Sequence, residues 1–311
     1  MTILQRIVDQ WTPVRVIRIR SKRIIVPGTE GLSLYEVVKF FFQGIRNSRL
    51  NVSCAAVTYN FLMAIPPTLI FVFSLVPYLP LKDAQNTILS VLRLITPNNT
   101  AYINISTIIV DFMNNEQEGL LSFGIFLTIF FSSNGMMGLI RNFEKSLPFY
   151  VKRSPLRQRW TAIKLTLMLI GVGIVSLAVL AIQSQSLNNL ILRVFDNTAV
   201  VRVLSLIIVV LIIFCAISVI YTYGPSLNEK FDFVSPGSVF ATILSVLTTG
   251  VFYFLVNNFL NYSKVYGSIG SIMAFMVWLW LNTMVILLGY ELNVSIMLAQ
   301  TSKKNVPESQ I

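Results

Sequence analysis

Six stretches of this chain contain no Asp, Glu, Lys or Arg: Leu50–Leu81, Gly119–Ile140, Leu165–Leu192, Val203–Asn228, Phe233–Ser263 and Val265–Tyr290. Each is at least 22 residues long. A helix rises about 1.5 Å per residue, so about 20 apolar residues cross the hydrocarbon core of a bilayer. Strands of a membrane barrel would be shorter and would alternate in polarity. The stretches therefore predict an all-α, polytopic membrane protein with six transmembrane helices. Lys264 alone separates the last two stretches, which places a tight turn there.

Composition narrows the chemistry further. Of 311 residues, 55% are hydrophobic and 12% are charged. A soluble domain carries about 25% charge, and the mean hydropathy of +0.72 points away from one. There is no histidine, which removes Ser-His-Asp triads, HExxH zinc sites and histidine-based metallohydrolase centres. The 13 acidic residues are scattered, with Glu116/Glu118 and Glu229/Asp232 as the close pairs. A nuclease needs a metal cage or acid–base groups around phosphate, and this set offers none. The expectation is a non-enzyme without metal or cofactor. Cys54 and Cys215 both lie in apolar runs and read as small buried hydrophobes, a bridge between them being left open.

The net charge is +11, and its placement decides its meaning. Nine Lys or Arg precede Leu50, and the successive loops carry two, seven, two, one and one, with two more in the tail. With the N-terminus inside, nineteen face the cytoplasm and five face out. The positive-inside rule then puts both termini in the cytoplasm of a cell (inner) membrane. The first 23 residues have no sustained apolar core and do not read as a signal peptide. Their cluster Arg15, Arg18, Arg20, Lys22 and Arg23, and the basic, aromatic loop between Arg141 and Lys164, are expected to meet anionic lipid rather than nucleic acid. The organisation expected is a basic cytoplasmic segment over 1–33, a six-span domain over 34–300 and a cytoplasmic tail over 301–311.

Helical periodicity also appears outside the spans. Leu34, Val37, Val38, Phe41, Phe42 and Ile45 fall on one helix face. They predict an N-terminal amphipathic helix that lies in the interface or packs on the bundle. In the loop after the first span, Ile88, Val91, Leu92 and Ile95, then Ile105, Ile108, Ile109, Phe112 and Met113, predict two short amphipathic helices on the outer face, separated at Pro97.

Polar and helix-breaking residues inside the spans are the candidate site. Pro66 and Pro67 remove two backbone donors from the first span, which predicts a kink or an unwound turn, with Asn60 near the freed carbonyls. Asn134, Gly138, Arg141 and Asn142 share a face of the second span, where Gly135 and Gly138 permit close helix contact. Tyr253, Asn257, Asn261 and Lys264 form a polar stripe on the fifth, expected to face inward because polar groups facing lipid are costly. Glu291 near the end of the last span is read as an ion-pair partner for Arg141 or Lys145, or as a proton or cation site.

Several of these runs resemble a known family. TYNFLMAIPPTLIFVFSLVPYLP is similar to the first span of the YihY/BrkB family of bacterial inner-membrane proteins. SSNGMMGLIRNFEKSLP resembles its second span, RQRW the approach to the third, and YTYGPS with SPGSVFAT the junction of the fourth and fifth. YSKVYGSIGSIMAFMVWLWLNTMVILLGYELN resembles its fifth-to-sixth junction through to a terminal Gly-x-Glu-Leu-Asn. The resemblance runs from about Leu34 to Leu298. Tyr290 stands where the family has an alanine-type residue, and Trp280 where a tyrosine is more frequent. The family carries an old label of ribonuclease BN, links to serum resistance, and proposals of export of envelope components or small anionic molecules. It supplies no catalytic residues to carry over.

The function expected is a transporter or flippase-like exporter of an anionic amphiphile or small metabolite. It would work by alternating access around Pro66–Pro67, with Asn60, Asn134, Asn257 and Asn261 along the path and Arg141 and Lys264 attracting anions at its ends. The alternative is a non-transporting scaffold for envelope assembly, in which the Asn and Gly residues only join helices. A homodimer is compatible with so few spans.

Overall fold

The computed structural model describes residues 33–47, 50–75, 118–146, 153–182, 198–227, 230–258 and 268–304, together with residues 89, 93, 102, 103, 106, 107 and 109–111. The long elements among the described residues are helices: α1 (Leu34–Asn47), α2 (Leu50–Leu75), α3 (Glu118–Ser146), α4 (Pro155–Ile182), α5 (Thr198–Tyr223), α6 (Pro236–Asn258) and α7 (Ser268–Lys304). Five of them contain stretches long and apolar enough to cross a membrane: Ser122–Glu144, Pro155–Ser176, Leu206–Tyr223, Pro236–Val256 and Met273–Thr301. The protein is an all-α, multi-pass membrane protein. The first of the six uncharged stretches falls on α2, whose 26 residues carry no charge. The N-terminal basic cluster, the end of the tail and most of the expected outer-loop helices lie outside the described residues, although those described within that loop are helical.

Of the kink or unwound turn expected at Pro66–Pro67, the unwound turn does not form. α2 runs as one helix through both prolines. Its packing explains this: Val57, Ala64 and Pro67 are buried on one side, so a neighbouring helix holds the trace where two backbone bonds are missing. The Thr68 hydroxyl adds a bond to the next carbonyl, Ala64 O, at 2.6 Å.

α1 packs on the bundle, one of the two arrangements expected of it. Val37 packs with Ile296 and Ala299 of α7, flanked by Phe40 and Leu292. Phe41 meets the Phe240 ring of α6 edge-on at 6.3 Å. Val38 and Phe42, on the other side, are exposed, Phe42 by 64%.

The buried core gathers toward one end of the described helices. The buried core is drawn from Cys54 and Val57 of α2, Met136 to Phe143 of α3, Ala162 and Leu165 of α4, Ile217 to Tyr221 of α5, Ala241 of α6 and Val285 to Val294 of α7. These segments share one end of the antiparallel arrangement, the end that carries Arg141, Arg153, Arg157 and Arg159. Toward the other end, Phe123 and Phe126, Ile174 and Val175, Leu206 and Ile207, Val251 and Phe254, and Met273 to Val277 are exposed. Cys54 and Cys215 are free thiols, and Cys54 Sγ lies 3.7 Å from Met284 Sδ.

A polar seam at the basic end as the candidate functional site

The seam begins with how α6 starts. Ser235 precedes Pro236, whose fixed φ suits the first helical position and whose missing N–H costs nothing there. The Ser238 N–H donates to Ser235 Oγ at 3.2 Å, and the Ser235 N–H donates to Ser238 Oγ at 3.0 Å. This reciprocal cap satisfies two donors of the first turn. A third is met from α7: the Gly237 N–H donates to Asn293 Oδ1 at 2.7 Å, while Asn293 Nδ2 donates to Ser235 Oγ at 2.9 Å.

The bonds require α6 and α7 to touch backbone to backbone. A Cβ on Gly237 would sit 2.2 Å from Gly289 O, and one on Gly289 would sit 2.6 Å from Ala241 Cβ. Only glycine permits this approach. The adjacent Tyr290 fills the space left between helices. Its ring stacks on Phe143 at 4.0 Å, its hydroxyl donates to Phe143 O at 3.3 Å, and Tyr221 and Phe231 pack edge-on against it. The Tyr221 hydroxyl donates to Ile286 O at 2.6 Å. An aromatic residue at 290 is thus accommodated by aromatic partners on α3 and α5. Trp280 packs, half-buried, against the same core.

Two carboxylates are buried at this end. Glu144 of α3 accepts Gln158 Nε2 on Oε2 at 2.6 Å, and its Oε1 is buried without a hydrogen-bond partner among the described residues. Glu291 of α7 is 3% exposed, and its Oε2 lies 2.8 Å from where a Cβ on Gly44 of α1 would be. Both carboxylates act electrostatically on Tyr290. Arginines then tie α4 to its neighbours. Arg153 donates to Gly224 O at 2.8 Å and Pro225 O at 3.0 Å, closing the carboxyl end of α5 with positive charge. Arg159 donates to Asn134 Oδ1 and to Phe130 O, and lies 4.2 Å over the Phe130 ring.

The residues expected as a path are distributed differently from that expectation. Asn60 is half-buried on α2, its Nδ2 3.8 Å from the Cβ position of Gly138, which places it in the α2–α3 contact. In that contact a Cβ on Gly135 would stand 2.8 Å from the Phe61 ring. Asn134 turns to α4, where Arg159 holds it. Pro66 is exposed and Pro67 buried. Arg141 is exposed and donates to Gln158 Oε1 at 3.4 Å, so Gln158 links it to Glu144. Tyr253, expected to face inward, is 69% exposed on α6. Asn257 lies on α6 but its side chain is outside the described residues, as are Asn261 and Lys264 altogether. Glu144, Gln158 and Tyr221 were not singled out from sequence. An acid three residues after Arg141, at the edge of an uncharged stretch, was the available signal for Glu144.

The helices and the buried polar seam define a polytopic helical membrane protein closed at its basic end. The sequence profile of the virulence factor BrkB family matches residues 41–310, and the chain belongs to that family. It is 34% identical over 248 residues to the ribonuclease-like protein YfkH of Bacillus subtilis (strain 168), covering 77% of this chain and 87% of that relative. It is 23% identical over 268 residues to the UPF0761 membrane protein NTHI0384 of Haemophilus influenzae (strain 86-028NP), covering 84% of this chain and 95% of the relative. A UPF0761 membrane protein of Pseudoalteromonas translucida (strain TAC 125), PSHAa0171, is 35% identical over 77 residues, a quarter of either chain. No solved structure matches the chain.

Proposed function

We propose that the protein is a transporter or flippase-like exporter that carries an anionic amphiphile or small metabolite across a cell (inner) membrane. In this reading α2 is the sixth span and both termini are cytoplasmic, so the closed end of the bundle is the cytoplasmic gate. The observation that carries the reading is Glu144. It is the last residue of the apolar stretch Ser122–Glu144, it is buried, and one of its oxygens has no hydrogen-bond partner among the described residues; an ionisable group held in this way at the edge of a span suits a proton or ion relay. With α2 continuous, the gate opens by parting the α3–α4 contact at Arg141, Gln158 and Glu144 rather than by bending at Pro66–Pro67. The nuclease activity in the name of the Bacillus relative is not proposed for this chain, whose sequence has no histidine.

The test is flux. Purified protein in liposomes containing a fluorescent phosphatidylglycerol is given an imposed proton gradient. Gradient-dependent movement of the lipid, lost in Glu144→Gln, is expected. Wild-type protein that moves neither lipid nor small anions under any gradient overturns the reading.

One observation favours the scaffold instead. Asn134 is held by Arg159, Asn142 accepts Ser53 Oγ and donates to Gly138 O, Asn282 accepts Ser245 Oγ, and Asn293 caps α6. These amides join helices. Thiol labelling of Asn60→Cys separates the two readings: a water-accessible path gives modification by a membrane-impermeant reagent, and dry packing gives none.

A further inference from the structure

The amino-terminal part of α4 carries a feature that the seam uses only in part, through Arg153 and Arg159. A cavity of about 570 Å³ is lined there by Arg153, Arg157, Arg159, Leu156, Trp160 and Ile163, among others. That volume is in the range of sites for ligands of ordinary size. No acid occurs among the described lining residues. Two of the arginines are fixed by the fold, Arg153 on the carbonyls of Gly224 and Pro225 and Arg159 on Asn134 and Phe130. The third, Arg157, is exposed, and its side chain has no partner among the described residues. Beside it Leu156 is 81% exposed and Trp160 60%. Leu156, Trp160 and Leu167 continue as an apolar stripe along the helix, with Lys164 Nζ 6.0 Å from the Trp160 ring.

The position of this patch specifies its ligand. The apolar span of α4 begins at Pro155, so the arginines stand where a span leaves the hydrocarbon. That is the level of phospholipid head groups, where tryptophan is enriched and basic residues attract anionic lipid. A free anion would use the arginines and leave the apolar stripe without a partner. A molecule with a phosphate at one end and an acyl chain at the other uses both.

We propose that the Arg153–Ile163 cavity is a binding site for one anionic phospholipid, its phosphate on Arg157, with Arg153 and Arg159 adding positive charge to the same lining, and its acyl chain along Leu156 and Trp160. The proposal rests on the membrane reading of α4 and names a lipid for the basic rim. Because Arg153 also closes α5 and Arg159 also joins α3 to α4, lipid binding at Arg157 bears on the contact that the gate must part.

The test is native mass spectrometry of the full chain, moved from nanodiscs of phosphatidylcholine with phosphatidylglycerol into detergent. Wild-type protein is expected to retain phosphatidylglycerol and not phosphatidylcholine. Arg157→Gln should lower retention about fivefold, the effect of one basic residue at an anionic surface. Lys230→Gln, an exposed charge on the α5–α6 connection, should leave it unchanged. Trp160→Ala reports the acyl contact without altering charge and should also lower retention. Equal retention in all variants overturns the site. Displacement of the lipid by millimolar inorganic phosphate alone assigns the arginines to a soluble anion and overturns it too. The readout is binding, so a protein that holds the lipid and moves nothing defeats the transport reading and leaves this site standing.

Discussion

The two halves of α7 have the same apolar character and opposite surroundings. From Thr283 to Ala299, residues on several faces are buried, among them Leu287, Tyr290, Asn293 and Ser295. From Met273 to Val277, Met273, Phe275, Met276 and Val277 are exposed. Hydrophobicity cannot account for the contrast, because lipid tails are as apolar as leucine and reward neither arrangement. The buried half differs in having Gly289, which lets α6 come within backbone contact, and Asn293, which bonds to the first turn of α6. In a bilayer, small residues and interhelical hydrogen bonds decide where helices meet. In the other half Gly270 is buried and Trp278 Nε1 donates to Thr249 Oγ1 at 3.2 Å, so the contact with α6 continues there on fewer ties, and the large side chains from Met273 to Val277 stay exposed.

Three substitutions sharpen or break this contrast. Gly289→Val drives a branched side chain into Tyr221 and Ala241. It should cost about 3 kcal/mol, the upper part of the range for overpacking, read as a lower midpoint of reversible unfolding in a denaturing-detergent titration. An unchanged midpoint would mean that the α6–α7 contact is not what holds the bundle. Asn293→Ala removes an amide from two hydrogen bonds and leaves the Gly237 N–H unmet, a loss of about 1 kcal/mol in the same titration. Val251→Ala, on the exposed side of α6, should change stability by less than about 0.5 kcal/mol. A loss there as large as that at Asn293 would show that a second copy or another segment covers this surface.

The membrane class was legible because a span is a local property, written in twenty consecutive residues. So was a close helix contact at Gly135 and Gly138, small residues spaced three apart, though not that α2 is the partner. The continuity of α2 was not. A Pro-Pro pair reports the two bonds it removes, whereas the burial of Val57 and Ala64 that holds the helix together depends on α3. The exposure of Tyr253 was hidden for a related reason. Helical periodicity shows which residues share a face but not which way the face turns. The polar seam was least legible, because Asn293 meets Gly237 across 56 positions and Arg153 meets Gly224 across 71. In the terminal Gly-Tyr-Glu-Leu-Asn the acid alone carries a chemical expectation from sequence. The motif's physical content is a glycine against Gly237, a tyrosine against Phe143, a carboxylate against Gly44 and an asparagine on the cap of α6.

That motif has a consequence for how the protein is made. Each apolar helix can enter the bilayer as it leaves the ribosome, before it has partners. The contacts that close the basic end, however, converge on Gly289, Tyr290 and Asn293, in the last of the described helices to be synthesised. α1, made first, docks on the same helix through Val37. Biogenesis therefore has a final locking step: the earlier helices can already pair, α2 with α3 and α3 with α4, but the basic end closes only when α7 arrives. A nascent chain arrested before residue 289 would expose the Glu144 region and the capped end of α6, and would present quality-control proteases with their clearest target.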